Sequence, residues 1–88
     1  MIHELKTWPK YFLQVVCGRK TFEIRKNDRD FKSHDILYLR EWNPETKQYT
    51  GQAARFKVTY ILDLTDFGLS GSVAMAIVPW FPPSSTQK

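Results

Sequence analysis

Between residues 18 and 25 the chain reads Gly18-Arg19-Lys20-Thr21-Phe22-Glu23-Ile24-Arg25. In extended backbone, alternate side chains share a face at a spacing of about 7 Å. Thr21, Glu23 and Arg25 therefore fall together, and Lys20 stands at the corner where the chain turns into the strand. The strip presents an ammonium, a hydroxyl, a carboxylate and a guanidinium over about the length of one nucleotide. Arg25 is suited to grip a phosphate or carbonyl bidentately, and Lys20 supplies a point charge. Glu23 is able to accept from an exocyclic amine such as that of cytosine. The competing reading is an ordinary cross-strand Glu23–Arg25 pair with Thr21 as a surface β-former, and spacing alone does not separate the two.

Other chemistry-bearing residues are sparser. Trp8, Trp42 and Trp80 are candidates for base stacking, and Trp8 lies beside a helix start. Tyr38 reads as core, and Tyr49 as a cross-hairpin partner of Trp42. His3 and His34 are far apart in sequence. Basic residues interrupt Asp28, Asp30 and Asp35, so neither group predicts a metal. No glycine-rich phosphate loop occurs, and no cofactor is expected. Cys17 ends a helical segment, lacks a histidine partner in sequence and reads as a packed thiol.

The elements that position these groups follow from periodicity. His3 to Lys6 is a short opening strand. Thr7-Trp8-Pro9 starts a helix, with the threonine as cap and proline in the first turn. Tyr11/Val15 and Phe12/Val16 are spaced four apart and give an apolar stripe; Gly18 then ends the helix in the left-handed conformation. Thr21 to Arg25 alternates as a half-buried strand does. Asn27 to His34 is a polar connection, and Asp35 to Trp42 a central strand. Asn43-Pro44-Glu45-Thr46 turns into a returning strand. There Ala54, Phe56, Val58 and Tyr60 are dry and Arg55, Lys57 and Thr59 wet. Leu64 to Gly71 is a loop, and Val73 to Val78 a final buried strand. About five strands and one early helix define a mainly β, α+β domain. The strands pack most economically as a small barrel, mixed but mostly antiparallel, flanked by the helix, because closure removes exposed strand edges. Residues 1–80 form one domain and residues 81–88 a flexible tail.

Composition agrees with that scale. Eighty-eight residues, 42% hydrophobic and 25% charged, make one thin-cored globular domain and exclude a disordered chain. The net charge is +4, and residues 1–32 hold eight Lys/Arg against four Asp/Glu. An anionic partner is thus plausible at the N-terminal third. One cysteine excludes an intramolecular disulfide and fits a reducing compartment. The longest apolar run, Val73 to Phe81, contains Pro79 and is too short to span a membrane. The first residues lack a signal peptide's apolar stretch, so a cytoplasmic location is expected.

Gly18-x-Lys20-x-x-Glu23-x-Arg25 resembles the G-x-K-x-x-E-x-R signature of ASCH domains, a branch of the PUA-like superfamily. Residues 3–9 and 25–31 are similar to a small bacterial and phage subgroup of unknown function. The resemblance covers most of residues 3–78, with His34-Asp35 where relatives usually have Gly-Asp. It implies a β-barrel with a cleft between helix and barrel that binds RNA or a nucleotide-like ligand. Lys20, Glu23 and Arg25 match the cleft positions directly, Lys6 less closely, and Trp8 borders the cleft. Some relatives are amidohydrolases of N4-acetylcytidine and others ribonucleases, which makes a hydrolase the alternative, with Lys20, Glu23 and Thr21 as its catalytic candidates. The amidohydrolase branch, however, has threonine where this chain has Glu23, and gains a further glutamate from an insert absent here. A protein-interaction accessory factor is the third reading.

Overall fold

The computed structural model describes residues 1–82. Five strands and one helix follow in the order β1 (Ile2–Thr7), α1 (Pro9–Val16), β2 (Phe22–Lys26), β3 (Ile36–Asn43), β4 (Gln48–Asp63) and β5 (Ser72–Pro79). A 3₁₀ turn, Thr65–Phe67, precedes β5. The strands form one mixed sheet in the order β1-β3-β4-β5-β2, curled into a half-barrel. Only β1–β3 is parallel; the other pairings are antiparallel.

This architecture corrects the expectation of a closed barrel. β1 and β2, consecutive strands joined through α1, occupy the two outer edges of the ladder, and no backbone pairing links them. Curling brings the edges close enough for side chains to bridge them. Arg25 Nη2 donates to the Lys6 carbonyl at 3.0 Å and to Thr7 Oγ1 at 3.3 Å. Arg29 Nη1 donates to the Glu4 carbonyl at 2.8 Å. Arginines thus satisfy edge carbonyls that a neighbouring strand would satisfy in a closed barrel.

The concave side holds the core. Leu5, Leu37, Leu39, Phe56, Val58, Val73, Met75 and Ile77 point inward from four strands; Phe12 and Val15 of α1 and Phe31 cover them. The helix therefore buries a Phe12/Val15 stripe at i,i+3, while Tyr11 and Val16 stay exposed. Thr7 is not the cap: it is the buried last residue of β1, and Trp8 occupies the N-cap without a side-chain bond. Gly18, at φ +85°, ends the helix. Its N–H reaches Val15 O and the Arg19 N–H reaches Gln14 O, a Schellman closure that aims the chain into β2. Cys17 is exposed rather than packed.

Two further positions depart from the expected core. A register irregularity between Val58 and Tyr60 inserts an extra residue in β4, so Tyr60 turns outward and Ile61 packs on the core instead. Tyr38 lies on the outer face, half-buried, with the Arg55 guanidinium 4.7 Å from its ring centroid. Trp42 does stand opposite Tyr49 in the hairpin register. His34 adopts φ +77°, the left-handed region that favours glycine. Phe81 and Pro82 are exposed, and the rest of the expected tail, residues 83–88, lies outside the described residues.

Parallel pairing of β1 with β3 also creates a buried polar pair that sequence distance conceals. His3 Nε2 lies 2.8 Å from Asp35 Oδ2, and the same oxygen accepts the Lys32 N–H at 3.0 Å. A carboxylate only accepts, so Nε2 carries the proton. Burial alone would raise the Asp35 carboxyl, but the hydrogen bonds from His3 and the Lys32 backbone outweigh it and hold the group below the usual aspartate value. With the folded value below the unfolded one, the unfolded chain binds more protons in acid. The stabilisation is therefore complete above about pH 4 and is lost as pH falls through the lowered folded value. Asp35→Asn is expected to cost about 1.5 kcal/mol at pH 7 and to flatten the acid limb. Urea midpoints between pH 7 and pH 2 test this, and parallel acid limbs for the two proteins would contradict it.

Candidate functional site

The seam between the two sheet edges opens into a cleft of about 740 Å³. β1 and the start of α1 give one wall, with Lys6, Thr7, Trp8 and Tyr11; Lys20 and β2 give the other, with Phe22, Glu23, Ile24 and Arg25. Trp8 and Tyr11, three apart across the first helical turn, hold their rings at 6.4 Å and 24°, a stacked aromatic wall.

Glu23 is the centre of the site. It is only 3% exposed and takes one cation on each oxygen: Lys20 Nζ at 2.5 Å on Oε1 and Arg25 Nε at 3.0 Å on Oε2. Lys20 also donates to the Phe22 carbonyl at 2.7 Å. A buried carboxylate is tolerated when its lone pairs are filled by charged donors, and the i,i+2 spacing on one strand supplies the second of these. The cluster carries one negative and two positive charges. Among the described residues, Arg25 Nη1 and one hydrogen of the Lys20 ammonium have no protein acceptor, so both remain available to a guest. Both cations are accessible from the cleft, at 19% and 26% side-chain exposure for Lys20 and Arg25.

β2 is thus polar on its inward face and apolar outward: Phe22 and Ile24 are 45% and 53% exposed. Glu23 and Arg25 look from the edge strand into the seam, and Met75, opposite Glu23 in the register, keeps the hydrophobic core beneath them.

Of the residues expected from sequence, the fold gathers Lys20, Glu23, Arg25, Lys6 and Trp8 around one cleft. Lys6 lies at its rim with its ammonium 4.5 Å from the Trp42 ring centroid. Thr21 is not among the lining residues; it precedes the first residue of β2 and is exposed. Trp80 borders a separate hollow of about 410 Å³ with Phe56 and Phe81. Sequence reading missed Thr7, Tyr11, Phe22 and Ile24. Tyr11 carries a signal, its i,i+3 spacing from Trp8; Thr7 reads in sequence as a helix cap, and Phe22 and Ile24 as an apolar strand face. Among the described residues no three His, Cys, Asp or Glu side chains gather as a metal site. No helix described is long and apolar enough to cross a membrane.

Fold and site together define a small half-barrel α+β domain with a charged, aromatic-walled cleft at its open seam. The chain belongs to the DUF3850 family, a domain of unknown function, which it matches over residues 2–77. It is also similar to an uncharacterized 12.9 kDa protein in GpA 3'region of Escherichia phage P2, at 39% identity over 66 residues, 75% of this chain and 59% of the relative. The chain thus spans about three fifths of that relative's length.

Proposed function

We propose that this protein is an ASCH-like, PUA-related binding module for RNA or a nucleotide-like ligand, acting without catalysis. One observation carries the reading: a buried carboxylate orients two cations at the base of a cleft whose walls are aromatic and aliphatic. Such a cleft matches a flat ring with polar edges and an attached anion. Trp8 and Tyr11 offer a stacking surface, worth about 1–3 kcal/mol per base. Lys20 and Arg25 donate to a phosphate or carbonyl. Glu23 serves as a positioning residue, since each of its oxygens already holds a cation. The same engagement leaves the carboxylate poorly placed as a general base, which favours binding over hydrolysis.

The test is a fluorescence titration of short RNA at several salt concentrations. Binding is expected to weaken with ionic strength, and Lys20→Ala to weaken it about tenfold, the worth of one charge-assisted hydrogen bond. Salt-independent binding, or an unchanged affinity in Lys20→Ala, would refute the reading. Release of acetate from N4-acetylcytidine, or cleavage of labelled RNA, that disappears in Lys20→Ala would replace it with the hydrolase.

A further inference from the structure

The convex face of the half-barrel carries a second feature that the cleft does not use. The β2–β5–β4 register sets Phe22, Ala76 and Tyr60 in one row and Ile24, Ala74 and Leu62 in the next. Both rows face outward: Tyr60 is 63% exposed, Ile24 53% and Leu62 38%. The alanines make a shallow floor between larger side chains on the flanking strands. The width is two strand spacings, about 10 Å, which admits a flat ring. Lysines stand beyond both ends of the trough on the same outward face: Lys57 opposite Val78, and Lys26 opposite Ser72. The distance along β5 from Val78 to Ser72 is about 20 Å at a strand's rise per residue. No acidic side chain occupies an outward position in these rows.

We infer that this face is a track for single-stranded nucleic acid continuing out of the cleft, an inference that rests on the cleft reading and extends it from one nucleotide to a strand. Three features select this occupant. Phe22 and Ile24 belong both to the cleft lining and to the trough, so a strand leaving the cleft meets the trough without a gap. Exposed apolar surface of this kind marks an interaction site, and flat apolar surface bounded by cations matches bases and phosphates. A second copy would set lysines of like sign against one another in a protein that already carries a net charge of +4.

The experiment compares diuridylate with octauridylate on the whole protein by fluorescence anisotropy. The octamer is expected to bind at least tenfold more tightly. Tyr60→Ser should remove most of that gain and leave diuridylate binding within twofold of wild type; the exposure of Tyr60 makes the substitution safe for folding, which a melting curve verifies. Lys26→Ser should lower the slope of log affinity against log salt for the octamer by about 0.7, one phosphate contact on a single strand. Equal affinities for the two lengths, or a length gain that survives both substitutions, overturn the track while Lys20-dependent diuridylate binding keeps the cleft. A Tyr60-dependent octamer complex indifferent to Lys20→Ala overturns the cleft reading and keeps the track. A dimer in sedimentation that Tyr60→Ser disperses assigns the face to self-association and overturns the track.

Discussion

Glu23→Ala is expected to destabilise the protein by about 3 kcal/mol, the range for stripping one partner from a buried ion cluster. For a domain this small that corresponds to a fall of about 15 °C in the melting midpoint. The loss comes less from the missing contacts than from what remains: Lys20 and Arg25, most of whose side-chain surface is shielded from water, confront each other without a counter-charge. Arg25 would then be poorly held where it reaches Lys6 O and Thr7 Oγ1 across the seam, so loosening of the open edge should accompany the loss. Replacing all three members by apolar residues of similar size, Lys20→Met with Glu23→Leu and Arg25→Met, should be less harmful than Glu23→Ala alone, because no unpaired charge is left. The triple variant should nonetheless lose salt-dependent RNA binding. That combination, a protein more stable than Glu23→Ala yet without the ligand, would identify the cluster as kept for binding. A Glu23→Ala protein melting within two or three degrees of wild type would show that both cations rehydrate and that the carboxylate constrains neither.

Met75→Ala is expected to cost a similar amount, about 3 kcal/mol, through lost burial and the void left behind. Met75 is fully buried in the middle of β5, opposite Glu23 in the register. The cavity would open beside Glu23 on the neighbouring strand, and water entering it would weaken the ion pairs by raising the local dielectric. Stability and ligand affinity should therefore fall together, though no ligand-facing residue has changed. Met75→Leu conserves volume and should cost less than about 1.5 kcal/mol with affinity retained. Denaturant unfolding of both variants, with the same RNA titration, measures the two effects. Full affinity in a destabilised Met75→Ala protein would show that the cluster is held by its own strand and not by the core below.

The contrast between these two residues shows what was legible in the chain. The order of helix and strands, the polar connection between β2 and β3 and the turn at Asn43-Pro44 all follow from local chemistry: proline in a first turn, glycine at a helix end, period-two alternation. The charged strip could be read for the same reason, since side-chain alternation along one strand is a local property. Glu23 and Arg25 share a cleft because their own backbone is extended, and Lys20 joins them from the corner just before β2. Alternation does not say which face of a strand looks inward. In β2 the polar set points into the seam and Phe22 and Ile24 point out, the reverse of what hydrophobicity alone suggests, because an edge strand borders a cleft as well as the core. Tyr60 escaped for a related reason: a single extra residue in β4 inverts every position after it.

By itself the sequence determined the local elements and the chemistry of the strip, because both depend on neighbours within a few residues. The tertiary structure alone decided that the ladder stays open, that Thr7 and Tyr11 face Arg25 and Lys20 across its seam, and that His3 finds Asp35 thirty-two positions away. Those outcomes depend on which strands become edges and on how far the sheet curls, and both are set by the packing of all five strands at once.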